Sequence, residues 1–565
     1  MVRTTQISLS LGMILSNNPE LKINPWVLMG VFCLLVGPFA LAFHMNYPDE
    51  MYYRDAAIEM LRNGDYLTTY LGSGELRFKK PILTYWAVLA GFKLFGVNAF
   101  ASRIFFLLAG AATVGLTFKL AKILFKDEKV ASVSALIMAA NPVLILSSGR
   151  SIPDILLVLT MTLSALGFAT YLRKEESIPN WAPWALYGGL ALAFEVKGLP
   201  AAALGGIGIL YLIFNPWKKT SLKKLFHLPS LLVSLVIALF WFVAMWVMHG
   251  PTYLESFLGD QVGVRVASKA FLVIKHGLMA LGLLIAIFIP WVLFSLPNLK
   301  STIAKAWKEN PQFSGFALLW GLAILGMGAL TSKFYERYLL PVAPVLAVYL
   351  GWILVKGEFE IRKRGLTLTA FIFYGLNVVL ILAGLYLGLK GHFVWFRLLF
   401  ILAVLFYLGK LIKKGNKLPK AIAYSYLLIF LSYTLFTSLI SFPHQGQQLK
   451  LALQEMYDMA PKVIAFRGNE HIGSKIRISL YPKTQLINLD RANWKTQMKD
   501  YDYVILEDLY LDSINSKQFE VYSETVNWSS KTIPDLIQTL GTSEFDSILD
   551  TTGKKYFLLF PTNNQ

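Results

Sequence analysis

The sequence predicts a polytopic α-helical membrane protein that carries a small α/β domain at its C-terminus. Three observations support this class: a mean hydropathy of +0.53, 55% hydrophobic against 15% charged residues, and an abrupt change of composition after Pro443. Soluble globular proteins are far less apolar. Because a helix satisfies its own backbone polar groups in lipid, we expect the apolar windows to be helical.

About thirteen apolar windows are long enough to cross a hydrocarbon core of about 30 Å. The first begins near Pro25 and has no small-residue cleavage site, so we expect an anchor helix rather than a cleaved signal peptide. The predicted spans are 25–43, 101–124, 131–148, 154–171, 182–195, 198–214, 228–248, 276–296, 314–331, 338–355, 367–389, 395–412 and 421–441.

Loop charge predicts the topology. The net charge of +19 could indicate nucleic acid as a partner, but the Lys and Arg residues lie in short clusters between spans, as in cytoplasmic loops. These clusters fall within 218–224, 300–308, 362–364 and 410–420. We therefore expect a cytoplasmic (inner) membrane protein with a cytoplasmic N-terminus and no nucleic acid partner. A single cysteine, Cys33, leaves no internal disulfide and no cysteine-based metal site.

Two domains are expected: a transmembrane domain, 1–441, and a periplasmic α/β domain, 442–565. In the first, the long outer loop 44–100 contains two segments, 49–63 and 81–95, that fit helices lying at the membrane interface. In the second, β-like runs alternate with helix-like stretches. The runs are 462–466, 476–481, 503–507 and 555–560, and the stretches are 447–459 and 534–540. No nucleotide-binding pattern is present.

The predicted outer loops gather ionisable residues at the mouths of the helices. A lone Lys or Arg there is readily explained by a side chain that reaches from the helix end to water. The adjacent carboxylates Asp49 and Glu50 are more unusual, although they also fit the N-cap and first turn of an interfacial helix. Asp154, after Pro153, likewise suits a helix N-terminus. Together, carboxylates that accept a proton and cations that bind phosphate suggest group transfer from a lipid phosphate.

Five motifs in this region resemble one known family. The stretch DEMYYRDAAIEMLRNGDYLTTYLGSGELRFKKPILTYW at 49–86 is followed by GVNAFASR at 96–103, RSIPD at 150–154, EVKGLP at 195–200 and SKFYERYLLPVAP at 332–344. In this order they resemble the ArnT and protein O-mannosyltransferase-like glycosyltransferases of the GT-C class. The resemblance covers about 25–355 by motif, and the rest by architecture. It implies a GT-C fold with juxtamembrane helices outside.

The resemblance also implies roles for individual residues. Asp49, with Glu50 beside it, is similar to the family's catalytic acidic pair. Other positions match contacts to the donor phosphate, and Asp154 matches an acidic position that binds a divalent metal in some relatives. The phosphate-binding candidates are Lys79, Lys80, Lys197, Arg337 and Tyr338.

The sequence departs from the ArnT-type pattern where a metal ligand is expected. The residue before the Lys-Pro lysine is usually Glu in ArnT-like sequences, but here it is Lys79. Two alternatives remain open: Lys79 replaces the divalent cation, or Glu75 or Glu50 supplies the missing ligand.

The leading hypothesis is a glycosyltransferase that moves a hexose or pentose from a polyprenyl-phosphate donor to an acceptor outside the cytoplasmic membrane, with inversion. Lipid A, another glycan, a lipid and a protein all remain possible acceptors. A flippase for a lipid-linked saccharide would bind the same headgroup without chemistry, and a non-catalytic assembly subunit is a third reading. A flippase is expected to have mid-membrane charges and broken helices in matched halves, and neither is evident.

Overall fold

The computed structural model is mainly helical in its first three quarters. The residues it describes are 22–40, 49–173, 177–260, 270–295, 299–356, 363–389, 395–413, 422–424, 428, 462–514, 519–526, 538–539, 542–544, 547–548 and 554–561. The predicted span 421–441 and the helix-like stretches 447–459 and 534–540 lie wholly or largely outside these residues.

Seventeen principal helices precede the C-terminal sheet in the described ranges. They are α1 (Pro25–Ala40), α2 (Glu50–Asn63), α3 (Leu83–Phe95), α4 (Ala99–Phe125), α5 (Glu128–Ala139), α6 (Pro142–Ser148), α7 (Pro153–Leu172), α8 (Gly189–Lys197), α9 (Leu199–Phe214), α10 (Leu228–His249), α11 (Pro251–Leu258), α12 (Ala270–Ala286), α13 (Leu299–Glu309), α14 (Pro311–Ala329), α15 (Ala343–Lys356), α16 (Lys363–Leu389) and α17 (Trp395–Lys413). Shorter pieces are Trp181–Pro183, Leu222–Leu225, Trp291–Ser295, the π-helical turn Trp184–Gly188 and the 3-10 segment Glu336–Val342.

Local sequence explains where several of these helices begin. The Asn98 side chain accepts the Ala101 backbone N–H at the start of α4, and Asp127 accepts two backbone N–H groups at the start of α5. Asn141 does the same for α6, with Pro142 in the first turn. Such side chains satisfy N–H groups that have no partner within the helix, so they define helix starts.

The chain is a multi-pass membrane protein. Among the described residues, five helical segments are long and apolar enough to cross a membrane, and α5 with α6, bent by 61°, could form a sixth span. The five are Ala99–Phe125, Pro153–Leu172, Leu228–His249, Pro311–Ala329 and Glu336–Lys356. Shorter apolar helices include α3 and α9. The count of thirteen spans and the sidedness of the termini stay predictions.

A buried ion pair joins α2 to α4. Glu50 is fully buried, and Arg103 of α4 donates to both of its carboxylate oxygens, Nε to Oε1 at 2.8 Å and Nη2 to Oε2 at 2.7 Å. The Ser151 N–H and hydroxyl also donate to Oε1, at 2.9 and 3.1 Å. These contacts tie the start of α2 both to α4 and to the loop that leads into α7.

The C-terminal region forms one five-stranded mixed sheet with strand order β2-β1-β3-β5-β4. Its strands are β1 (Val463–Arg467), β2 (Gln485–Asn488), β3 (Val504–Glu507), β4 (Phe519–Val526) and β5 (Lys554–Pro561). β1 pairs in parallel with β2 and β3, while β5 pairs antiparallel with β3 and β4. Three of the four predicted β-like runs therefore coincide with strands. Whether 442–565 is a separate domain stays a prediction.

The prediction of a β-like run at 476–481 is wrong, because these residues belong mostly to helix α18 (Glu470–Leu480). Apolar and polar residues alternate in IRISL, as is typical of a strand. However, Ile472, Ile476 and Leu480 are buried together at helical spacing. Asn469 caps the helix by accepting the His471 N–H. The four-residue period and this cap outweigh the local alternation.

The Glu50 group predicts an acid-sensitive stability. Burial raises the pKa of Glu50, but the charge and hydrogen bonds of Arg103, with Arg54 and the Ser151 N–H, outweigh burial and lower the pKa to about 2. Its carboxylate therefore stabilises the fold above the unfolded-state pKa of about 4.3, and this contribution is lost as pH falls towards 2.

We expect Glu50→Gln to lower the free energy of unfolding at pH 7 by about 3 kcal/mol, because it leaves a buried guanidinium without its anion. Thermal unfolding in detergent from pH 7 to pH 3 measures this, with the exposed Glu75→Gln as control. The wild type should lose stability more steeply than Glu50→Gln below about pH 4.3. Parallel acid profiles for the two proteins would contradict this prediction.

Candidate active site

A polar cavity of about 220 Å³ opens where the start of α2 meets the outer-loop segment before α3 and the N-terminus of α7. Its lining is charged and aromatic. The acids are Asp49, Asp154 and Asp260, the cations are Arg77, Lys79, Lys80, Lys197 and Arg337, and the other residues are Tyr52, Tyr53, Tyr338, Ile152 and Pro153. With five cations against three carboxylates, the lining carries two excess positive charges and suits an anionic ligand.

Arg337 links two of the carboxylates. Its Nη2 donates to Asp49 Oδ2 at 3.1 Å, and its Nε lies 3.2 Å from Asp154 Oδ2. The guanidinium is held over the ring of Tyr335, 4.1 Å from the centroid. Lys197 Nζ donates to Asp154 Oδ1 at 2.6 Å. Both oxygens of Asp154 therefore face a cation.

Local backbone structure brings these charges together. Asp154 lies in the first turn of α7, after Pro153. Lys197 is the last residue of α8, and Gly198, with φ of 70°, ends this helix in a conformation that side chains disfavour. Arg337 belongs to the 3-10 segment that leads into α15. Three helix ends thus meet at one edge of the cavity.

Asp49 differs from the buried acids because its side chain is 47% exposed, against 5% for Asp154. It occupies the N-cap position of α2, yet its side chain makes no capping hydrogen bond. The carboxylate contacts Arg337 instead. Asp49 is therefore directed to the cavity and is accessible to a second molecule.

An aromatic group forms the wall beneath Arg77. The Arg77 guanidinium lies over the Tyr52 ring at 3.7 Å, and its Nε donates to the Tyr85 hydroxyl at 3.3 Å. The rings of Tyr53 and Tyr85 are 4.8 Å apart. Burial, with a smaller contribution from Tyr85, raises the pKa of Tyr53 well above its usual value, so this hydroxyl stays protonated.

The structure brings seven of the eight predicted site residues to this cavity: Asp49, Lys79, Lys80, Asp154, Lys197, Arg337 and Tyr338. Glu50 is the exception. It is fully buried in its ion pair with Arg103 and does not line the cavity, so its geometry fits a structural role rather than the predicted catalytic one. The side chains of Asp49 and Glu50 point in different directions because successive positions of a helix are rotated by about 100°.

The lining also contains Arg77, Asp260, Tyr52 and Tyr53, which were not among the predicted site residues. Asp260 follows Gly259 between the predicted spans 228–248 and 276–296, in a loop that the same topology puts outside. Loop charge could have placed it with the other outer acids, but no motif marks it. Nothing in the sequence distinguishes Tyr53, within the amphipathic pattern of α2, from an ordinary packing residue.

The donor set does not fit a divalent metal. In the described ranges, no group of three or more His, Cys, Asp or Glu side chains could hold one. Asp154 directs both oxygens to Lys197 and Arg337. Of the two proposed substitute ligands, Glu50 is engaged by Arg103, and Glu75 is exposed and outside the cavity lining.

The chain is similar in sequence to a family model and to several known proteins. The family model described as dolichyl-phosphate-mannose-protein mannosyltransferase matches residues 79–246. An uncharacterized protein of Aquifex aeolicus is 27% identical over 469 residues, covering 81% of this chain and 84% of that protein. An undecaprenyl phosphate-alpha-4-amino-4-deoxy-L-arabinose arabinosyl transferase of Pseudomonas fluorescens is 28% identical over 376 residues, covering 65% of this chain. The chain spans 62% of the length of that transferase.

The fold has a solved counterpart. The crystal structure of ArnT from Cupriavidus metallidurans bound to undecaprenyl phosphate superposes with a TM-score of 0.68 at 17% identity, covering 94% of this chain and 97% of that one. The apo form gives a TM-score of 0.67. At this identity the match is one of fold, and the ordered motifs supply the link in sequence. The chain thus has a GT-C type membrane fold and resembles the ArnT and protein O-mannosyltransferase-like group of glycosyltransferases.

Proposed function

We propose that this protein transfers a sugar from a polyprenyl-phosphate donor to an acceptor on the outer face of the cytoplasmic membrane. One observation carries the proposal: a half-exposed carboxylate, Asp49, borders a cavity whose other charges are mainly cations. The motifs shared with ArnT-like proteins, and the ArnT fold, support the same chemistry. The flippase reading has no comparable support, because binding a headgroup requires no accessible carboxylate beside the phosphate.

The charge of the cavity suits the change in charge that this reaction produces. Asp49 is paired with Arg337 and Asp154 with Lys197, and the lining as a whole has five cations against three carboxylates. A sugar-linked phosphate is a diester with one negative charge, whereas the released polyprenyl phosphate carries up to two. Cations that gain attraction as this charge develops stabilise the transition state more than the bound donor.

The proposed step is a single displacement. Asp49 takes the proton of the acceptor hydroxyl, the acceptor oxygen forms a bond to the anomeric carbon, and the bond from that carbon to the phosphate oxygen breaks. The electron pair of that bond leaves with the polyprenyl phosphate, next to the buried Lys80. Attack opposite to the leaving group inverts the anomeric centre.

Arg337 and Lys197 hold the acids in place during this step. Without Arg337, Asp49 and Asp154 would face each other as like charges in a partly buried site. Lys197 lies over the Tyr338 ring at 4.7 Å, so both members of the predicted pair Arg337 and Tyr338 take part in one charged group. We propose that Lys79, in a lining where Arg337 and Lys197 already compensate Asp154, replaces the divalent metal that some relatives bind here.

The nature of the sugar and acceptor follows only by extension from relatives. The Pseudomonas fluorescens relative is named for transfer of 4-amino-4-deoxy-L-arabinose from undecaprenyl phosphate. We therefore propose an undecaprenyl-phosphate pentose as the first donor to test. Lys79, where ArnT-like sequences usually have Glu, distinguishes this cavity by its charge. The acceptor is best identified from unfractionated envelope lipids, glycans and proteins.

Asp49→Asn should lower transfer of radiolabelled sugar by about 10²–10⁴-fold, because the acceptor proton loses its base. The assay uses purified protein, the labelled donor and total envelope material as acceptor. Exposed Glu75→Gln serves as the matched control. Turnover near the wild-type value in Asp49→Asn would refute the assignment. Movement of lipid across vesicles with the sugar still attached would support a flippase instead.

Lys80→Gln should weaken binding of undecaprenyl phosphate by about tenfold, because it removes a charged hydrogen-bond donor from a buried position. Binding to detergent-purified protein measures this. Lys93→Gln removes an exposed lysine of α3 that does not line the cavity and should leave affinity unchanged. Equal losses in the two variants would show only a general effect of charge.

Dialysis against EDTA should leave transfer unchanged, because Arg337 and Lys197 already compensate the carboxylates that a metal would bind. Turnover before dialysis, after dialysis and after addition of Mg²⁺ or Mn²⁺ measures the effect. A loss that either ion restores would contradict the cation replacement while leaving the transfer reaction itself intact.

A further inference from the structure

The C-terminal unit, by which we mean α18 together with the five-stranded sheet, contacts the helix that begins next to Asp49. Arg477 of α18 donates from Nη1 to Asp55 Oδ2 at 2.7 Å, and the Ser474 hydroxyl donates to Asp55 Oδ1 at 2.6 Å. Both oxygens of Asp55, on α2, are thus engaged by one helix of the C-terminal unit. The side chains of Arg477 and Asp55 are only 1% and 6% exposed, so water screens this pair little.

The outer loop closes over the same pair. A Cβ atom on Gly72 would lie 2.0 Å from Arg477 Nη1 and 2.6 Å from Asp55 Oδ2. Only a residue without a side chain lets the loop approach this closely. Further along α2, Arg62 donates to the Thr484 carbonyl at 2.9 Å. The C-terminal unit therefore contacts α2 at two points about two helical turns apart.

The first turn of α2, on the N-terminal side of these contacts, faces the cavity. Tyr52 and Tyr53 line it, and Asp49 immediately precedes the helix. Asp55 is fixed from the C-terminal side, and Glu50 is fixed by Arg103 from the transmembrane side. A short helix held at both of these positions has little freedom to tilt or rotate, so the Asp49 carboxylate stays directed to Arg337.

We propose that Asp55, Arg477 and Ser474 are positioning residues for the reaction, through which the C-terminal unit helps to hold the active site in its geometry. This inference rests on the transfer function proposed above. It assigns no chemistry to the sheet. Its contribution is to hold α2 so that the base and the aromatic wall keep their places around the donor phosphate.

The test compares Asp55→Asn, Arg477→Gln and the double variant in the full-length protein, with the exposed Arg491→Gln as control. Turnover at saturating donor should fall on the order of tenfold in each single variant. The double variant should be no slower than the slower single one, because either change breaks the same contact. Additive losses would mean that the two residues act independently, and the inference would fail.

Hydrogen exchange separates positioning from simple unfolding of the sheet. In both single variants, amides of α2 should lose protection while those of β1 and β3 keep it. Loss of protection in the strands instead, with α2 unchanged, would make the pair a stabiliser of the C-terminal unit only and would overturn the inference.

The two proposals fail in different ways. If the wild type transfers no sugar and binds no undecaprenyl phosphate, the proposed function is wrong, whatever α2 does in the exchange experiment. If the wild type transfers sugar and all three variants match Arg491→Gln in turnover, the function stands and the positioning role is wrong.

Discussion

The guanidinium of Arg337 is the contact on which the rest of the site depends. One of its nitrogens contacts Asp49 and another contacts Asp154, so it joins the N-terminus of α2 to the N-terminus of α7. A planar guanidinium has several N–H donors and can contact two carboxylates at once, whereas the ammonium group of a lysine would act as a single point charge. The guanidinium lies between the two carboxylates and offsets their mutual repulsion, and Lys197 adds a second cation next to Asp154.

The neighbouring acids Asp49 and Glu50 show how one helix can separate two roles. Burial with Arg103 and Ser151 makes Glu50 part of the scaffold. Asp49, one residue earlier, stays half exposed at the cavity. A fixed acid next to an accessible one gives the accessible carboxylate a rigid support, as catalytic groups require. In the proposed reaction, the two residues of the pair motif have different roles: Glu50 packs within the scaffold, and Asp49 acts as the base.

Sequence alone predicted much of the site, because membrane topology and ordered motifs both limit where charges can go. The predicted topology and the family resemblance together indicated that Lys80, Asp154, Lys197 and Arg337 lie close to one another. The direction of each side chain could not be predicted. Asp49 and Glu50 are adjacent in the sequence, and their different burial depends on how α2 packs against α4.

The fold of the C-terminal region was also predicted only in part. Strands β1, β3 and β5 followed from short apolar runs, but the helical period within 470–480 was hidden by a local alternation. The contact between Asp55 and Arg477 joins residues 422 positions apart, and no local pattern could indicate it.

The adjacent residues Lys79 and Lys80 differ in exposure, and this difference has a consequence for how the proposed lipid-phosphate donor would arrive. Lys79 is exposed at the cavity rim, whereas Lys80 is 5% exposed within it. A charge in contact with water acts over roughly 8 Å at physiological ionic strength and is weakened by added salt, while a buried charge is screened far less. Ionic strength should therefore affect the capture of the headgroup at the membrane surface more than its retention once bound. Under the proposed function, Lys79 thus acts mainly on the rate at which the donor arrives, and Lys80 on the lifetime of the complex.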